Sequence, residues 1–346
     1  MSAEARQLHR DSLVLDLHID TLLWTRLFGY DAGLRHENRV PLSPLGFHFD
    51  LPRASEGGLD AAVMGLVVNP AQVRPELIWP LKALDWWEEQ GGFEQTLLTL
   101  DLLNELADRY PTQISFVRRG SDIPYQVERG RFVAMAGLEG AHGLEGDLSN
   151  LTPLYEHGLR MLGLVHFQQT AAGHPMTAPE FYGRGIGDFG RDLIVRLEEL
   201  GVVIDLAHLN DAGVWEALGM MRRPCVVSHT ACKELHDHPR NLTDRQLELV
   251  GRNGGVVGVA AGRNFIGPGG RASFLDHIEH VIEVAGPHAV ALGSDYDGFI
   301  VPVEGMDDVR VYPLVTQGLL DRGQDPEVIE QALGGNALRV LTQVCG

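Results

Sequence analysis

Apolar residues gather along the chain into eight short runs rich in β-branched side chains: Leu13–Leu17, Ala61–Val68, Phe132–Leu138, Met161–Val165, Val202–Ala207, Cys225–Ser228, Val256–Ala260 and Ala289–Gly293. Near-continuous apolarity over so few residues marks strands buried on both faces, the habit of a parallel sheet. Between most of the runs lie amphipathic stretches of helical period. In Asp188–Leu200, the residues Phe189, Leu193, Ile194, Leu197 and Leu200 fall close to one helical face. Asp211–Met221, Thr243–Arg252 and Phe274–Ala285 follow the same rule, and Pro326–Val344 reads as a closing helix. Eight β-α repeats without a break in composition predict an α/β fold, a single (β/α)8 TIM barrel domain over residues 1–346.

Loop lengths agree with that reading. Connections entering the runs are short and carry Gly or Pro, as at Gly201, Arg223-Pro224, Gly254-Gly255 and Gly286-Pro287. Connections leaving them are long: Trp24–Pro52, Phe167–Gly187, Gly262–Gly270 and Gly298–Pro313. In a barrel the loops after the strands build the site. Asn69–Arg131 predicts two helices, including the Trp-rich Leu81–Gln90. Residues 24–52 and 69–131 are candidate lid elements.

Polar residues then fall at the carboxyl ends of the runs. His18 and Asp20 follow the first, Glu139 the third, His166 the fourth, His208 the fifth, His229 the sixth and Asp295 the eighth. Side chains alternate along a strand, so His18 and Asp20 face the same way. Singly, such a His is ordinarily a hydrogen-bonded residue and such an Asp an N-cap. Together, on six of eight strands, they predict a site for two borderline divalent ions such as Zn²⁺. Lys82 and Lys233 are the only lysines, and neither sits where a barrel strand would offer a carbamylated bridge. Glu139 is then the natural bridging carboxylate. One ion would take His18, Asp20 and Glu139, the other Glu139, His208 and His229. A hydroxide held between them is a nucleophile at neutral pH. Asp295 is left for proton transfer. Asp297, before Gly298, reads as a turn residue. His142 reads as loop packing or as a neighbour of the ligands, and Asp205, inside an apolar run, stays open. His236 and His238 read as a polar loop, and His277 and His280, one turn apart, as an exposed helix face.

The net charge of −19 disfavours nucleic acid and anionic membranes as partners, and an anionic substrate would need a local cation. No apolar run reaches the ~18 residues of a membrane span. Polar Met1–Asp11 shows no signal peptide, and Cys225, Cys232 and Cys345 are too few for a disulfide framework, so a cytoplasmic location is expected.

These residues carry a resemblance to the membrane (renal-type) dipeptidases, peptidase family M19 of the amidohydrolase superfamily. The matching stretches are Asp16–Thr21, Gly137–His142, Gly158–His166, Gly201–Asp211, Ser228–Thr230, Pro239–Asn241, Gly293–Gly298 and Gly335–Val340. The resemblance runs from about residue 10 to the end, in order. It implies a binuclear zinc barrel that hydrolyses dipeptides and often accepts a C-terminal D-residue, with the same five metal ligands. It further implies that His166 polarises the scissile carbonyl, that Arg240 holds the substrate carboxylate, that Asp295 is the acid/base and that the protein forms a homodimer. The chain departs from many relatives at Phe167–Ala171, where they carry Asn and Trp, and in residues 24–52. Both are expected to line the substrate pocket. The membrane anchor and disulfide linkage of mammalian relatives are not expected. The alternative reading is a related amide hydrolase acting on N-acyl amino acids or β-lactams. A metal-binding barrel kept for interaction is disfavoured by the presence of Asp295 and His166.

Overall fold

The computed structural model describes residues 1–37, 44, 46–68, 91–179 and 183–346, so the expected helix at Leu81–Gln90 lies outside the described residues. Among the described residues nine strands form: β1 (Leu15–Ile19), β2 (Ala61–Val67), β3 (Ile114–Phe116), β4 (Phe132–Glu139), β5 (Leu159–Gly163), β6 (Val203–Asp205), β7 (Val226–Thr230), β8 (Val256–Val259) and β9 (Val290–Leu292). All pair in parallel. Eight of them close a ring in the order β1-β2-β4-β5-β6-β7-β8-β9, which returns to β1 through Asp16 opposite Leu292. This is the (β/α)8 barrel. The extra strand, β3, pairs with Phe132–Ala134 of β4, below the point where β5 joins β4 at Ala136. Its three residues are too short a run to stand out in the sequence.

Inward-facing residues at the strand starts, among them Leu15, Leu17, Val63, Val133, Met135 and Val203, pack against Ala337, Val340, Leu341 and Val344. Those four share one face of the helix Asn336–Cys345. The helix therefore plugs the amino end of the barrel and leaves the carboxyl end for chemistry. The single closing helix expected at Pro326–Val344 is broken by a π turn at Gln331–Gly335. Outer helices follow the sequence pattern closely, at Asp188–Leu200, Asp211–Met220, Asp244–Asn253 and Arg271–Ala285. Their ends are set by local chemistry. Thr243 and Gln246 form a reciprocal capping box, and Gly201, at φ 72°, ends its helix in the left-handed region. Among the described residues no helix is long and apolar enough to cross a membrane.

Two β-bulges decide where the site points. Between β1 and β2, Asp16 pairs with Ala62 but Ile19 with Met64, so β1 carries one extra residue. Leu15 and Leu17 already face the barrel interior, and strict alternation would send His18 outward. The bulge returns His18 and Asp20 to the inside. The same happens on β7, where Val227 pairs with Val257 but Thr230 with Val259, beneath His229. Three other site residues lie beyond their strands. His166, His208 and Asp295 each follow the last strand residue by three positions.

His277 corrects the expectation of an exposed helix face. It is buried, its Nδ1 accepts from the Cys232 N–H at 3.0 Å, and its Nε2 donates to the Ile266 carbonyl at 3.2 Å. Burial lowers its pKa to about 4. A depressed imidazole pKa adds stability that is full above the unfolded value of about 6.5 and is lost as pH falls toward 4, up to ~3 kcal/mol. Denaturant midpoints should therefore fall between pH 7 and pH 4.5 in the parent and fall less in His277→Asn. Equal slopes in the two proteins would refute that role. His280, by contrast, is only half-buried and meets Asp244 at 2.7 Å.

Candidate metal centre

The centre assembles around Glu139, the last residue of β4. Its Oε1 lies 2.8 Å from His208 Nε2, 3.4 Å from His229 Nε2 and 3.8 Å from His18 Nε2. Its Oε2 lies 3.3 Å from His166 Nε2. His18 Nε2 in turn sits 3.2 Å from Asp20 Oδ1, and the Nε2 atoms of His208 and His229 are 2.8 Å apart. Ligand-capable atoms of His18, Asp20 and Glu139 fall within 4.8 Å of one another, as do those of Glu139, His166 and His208, and those of His18, His229 and Asp295. All seven strand-end residues named from the sequence thus converge on one buried volume.

The chemistry of this donor set fits divalent cations. Among the described residues, His18 Nδ1 and His208 Nδ1 are buried without a hydrogen-bond partner. Burial drives the pKa values of His208 and His229 well down, with Arg240 adding to it. They are neutral, the form a metal needs. Burial also drives Glu139 and Asp295 well up, assisted in both by Asp20 and opposed by His18 and Arg240. For His18, burial lowers the pKa, but Asp20, Glu139 and Asp295 together outweigh it and raise the value. Three carboxylates packed this closely lack enough positive charge, and cations would supply it.

A network behind the ligands fixes one tautomer. Asp205 Oδ2 accepts from the Ser228 hydroxyl at 2.5 Å, while its Oδ1 accepts the backbone N–H groups of Ala207 and Ser228 at 2.9 Å. The Ser228 oxygen, its proton committed, accepts from His229 Nδ1 at 2.9 Å. His229 Nε2 is left as a bare lone pair aimed at Glu139. The residue that the sequence left open, Asp205, is thereby given a role. A charged residue inside an apolar run was the signal.

Arg240 is buried beside this cluster, close enough to act on Glu139 and Asp295. Its Nη2 donates to the His229 carbonyl at 3.2 Å, Nη1 meets Met176 Sδ at 3.5 Å, and Nε has no hydrogen-bond partner among the described residues. His166 lies on the open side of the cluster, its side chain 13% exposed. Burial pushes its pKa well down, so it is a neutral imidazole. His142 adds to that shift; it is half-buried, with Nε2 buried and without a hydrogen-bond partner among the described residues. Phe167 stands at the rim, 61% exposed, with its ring 4.2 Å from that of His166 and 5.1 Å from that of His208.

Two glycines hold more than the sequence suggested: Gly65 had no role there, and Gly298 was read only as the glycine after a turn. A Cβ on Gly65 of β2 would come within 1.9 Å of Asp20 Oδ1. A Cβ on Gly298 would come within 2.3 Å of Asp295 Oδ1 and 2.7 Å of Asp20 Oδ2. Both leave space that carboxylates fill, and for Gly65 the only sequence signal is a glycine inside a strand. Asp297 is more than the turn residue expected. It is buried, and its carboxylate bonds two distant segments.

A closed (β/α)8 barrel gathering imidazoles and carboxylates at its carboxyl end is a plan suited to holding metal ions. The model of the membrane dipeptidase family, Peptidase family M19, matches residues 2–345, and the chain belongs to that family. It is similar to dipeptidase verJ of Clonostachys rogersoniana, 29% identical over 72% of this chain and 65% of the relative. It is also similar to an uncharacterized dipeptidase of Schizosaccharomyces pombe, 30% identical over 73% of this chain and 64% of the relative. The matched stretch spans just under two thirds of the length of these relatives. Among solved structures, a metallo peptidase from Rhodobacter sphaeroides, liganded with a phosphinate mimic of the dipeptide L-Ala-D-Ala, shares the fold. Its TM-score is 0.82 at 23% identity, over 96% of this chain and all of that one.

Proposed function

We propose that the protein is a dipeptidase that works with two zinc ions, one held by His18, Asp20 and Glu139 and the other by Glu139, His208 and His229. The observation that carries this reading is Glu139. One of its oxygens lies 2.8 to 3.8 Å from imidazoles of both proposed ligand sets, so the carboxylate stands between the two sites. Bound divalent ions supply Lewis acidity and lower the pKa of a coordinated water. The chain's own groups do the rest. Asp295 takes the proton from the attacking water and returns it to the leaving amine. Neutral His166 donates its ring N–H to the oxygen that gains charge on the scissile carbonyl. Arg240 pairs with the free carboxylate of a short peptide and gives an acidic protein its local cation. A C-terminal D-residue is part of the proposal, supported by the L-Ala-D-Ala mimic bound to the Rhodobacter sphaeroides protein.

The test combines zinc analysis with a panel of dipeptides of both C-terminal configurations, the matching C-terminal amides and N-acyl amino acids. Dipeptides should be cleaved and their amides spared. Arg240→Ala should raise KM for dipeptides by ~10- to 100-fold, the worth of a charge-assisted hydrogen bond, with zinc content unchanged. Equal cleavage of dipeptide and amide by the parent would remove Arg240 from this role, and a preference for N-acyl amino acids would replace the substrate class.

A further inference from the structure

We propose that Asp297 is a positioning residue for Asp295, a single buried carboxylate that clamps the exits of β9 and β1 and the segment around His48 into one unit. The proposal rests on the role given to Asp295 above.

The exit of β9 is an unusual backbone. Asp295, Asp297 and Phe299 have φ values of 65°, 66° and 58°, so three alternate non-glycine residues are left-handed. Each such residue costs ~1–3 kcal/mol and persists only where its surroundings impose it. Asp297 supplies that imposition. Its Oδ2 accepts from the Thr21 hydroxyl at 2.5 Å and its Oδ1 from the His48 backbone N–H at 2.6 Å. Its own N–H donates to His48 Nδ1 at 3.0 Å, and its carbonyl accepts from Trp24 Nε1 at 2.6 Å. Its N–H, its carbonyl and both carboxylate oxygens are thus engaged, and the residue is 1% exposed. An ordinary turn carboxylate bonds its own loop. This one bonds partners 249 and 276 positions away.

The geometry connects the clamp to the chemistry. Thr21 directly follows Asp20, and Gly298 directly follows Asp297. The Gly298 N–H donates to the Asp295 carbonyl at 3.1 Å, and its open face receives the carboxylates of Asp295 and Asp20. Removing the Asp297 carboxylate frees this loop and misplaces the Asp295 oxygens, without removing any proposed metal ligand or substrate contact. A misplacement of about 1 Å costs on the order of 100-fold in rate.

Three variants test it. Asp297→Gly keeps the left-handed backbone free of strain and deletes the carboxylate. Asp297→Asn keeps the acceptor for the His48 N–H and tolerates the same φ. Thr21→Val removes one donor and nothing else. We expect Asp297→Gly to lower kcat by ~30- to 100-fold with KM and zinc content unchanged, Thr21→Val to fall between it and the parent, and Asp297→Asn to restore most of the rate. Unchanged kcat in Asp297→Gly, or a loss matched by lost zinc or raised KM, overturns the proposal. A crystal structure of Asp297→Gly decides independently of substrate. A displaced Asp295 carboxylate supports the clamp and an unmoved one sinks it, whereas a parent protein inactive on all dipeptides counts against the proposed function alone.

Discussion

Asp295→Asn should lose ~100- to 10,000-fold in turnover while its zinc content stays that of the parent. General acid–base catalysis by a placed side chain is worth ~100- to 10,000-fold. The amide is isosteric with the carboxylate but can neither take nor return a proton. It also tolerates the left-handed backbone at this position, so folding is spared. Burial raises the pKa of Asp295, and nearby bound cations would lower it again, leaving a base able to cycle through both forms. Rate and zinc should be measured on one preparation. Activity within tenfold of the parent would remove Asp295 from proton transfer. Loss of one zinc would make it a ligand instead, a real alternative because its carboxylate shares a 4.8 Å cluster with His18 and His229.

The second large effect belongs to Glu139→Gln. A bridging carboxylate offers two anionic oxygens, and the amide offers one neutral oxygen and an N–H₂ that would face the imidazole lone pairs. Metal affinity should fall by well over ~100-fold, more than loss of an outer partner costs. Because cations that bind only the folded state stabilise it, zinc should raise the melting temperature of the parent, and the variant should lose that rise. Elemental analysis after dialysis, with melting curves with and without zinc, measures both. Full zinc occupancy in the variant would end the bridging assignment.

Much of this site was legible because barrel topology turns sequence order into geometry. A His or Asp just after an apolar run must lie near the carboxyl rim, so His18, Asp20, Glu139, His166, His208, His229 and Asp295 could be gathered without coordinates. The bulges under His18 and His229 were not legible. They depend on how β1 is matched to β2 and β7 to β8, which one strand's own pattern does not contain. The strand β3 was missed because three residues carry too little periodicity. His277 was misread because a helix packed on a barrel and covered by loops has more than one buried face. Asp297 looked like a turn because its neighbour is glycine, while its partners Thr21 and His48 lie at the other end of the chain.

Gly65 has a consequence for how such a chain can drift. The Asp20 carboxylate lies where a side chain from β2 would stand. An alanine at this position evicts one donor of the cluster, though it adds only a methyl group in a strand that otherwise favours larger residues. In a saturation library selected for activity, position 65 should return glycine alone, whereas the outward-facing Met64 and Leu66 on either side should accept other apolar residues. A sequence that keeps His-x-Asp but fills this gap has the letters of the site without room for them, and position 65 can sort such look-alikes from competent chains before any is expressed.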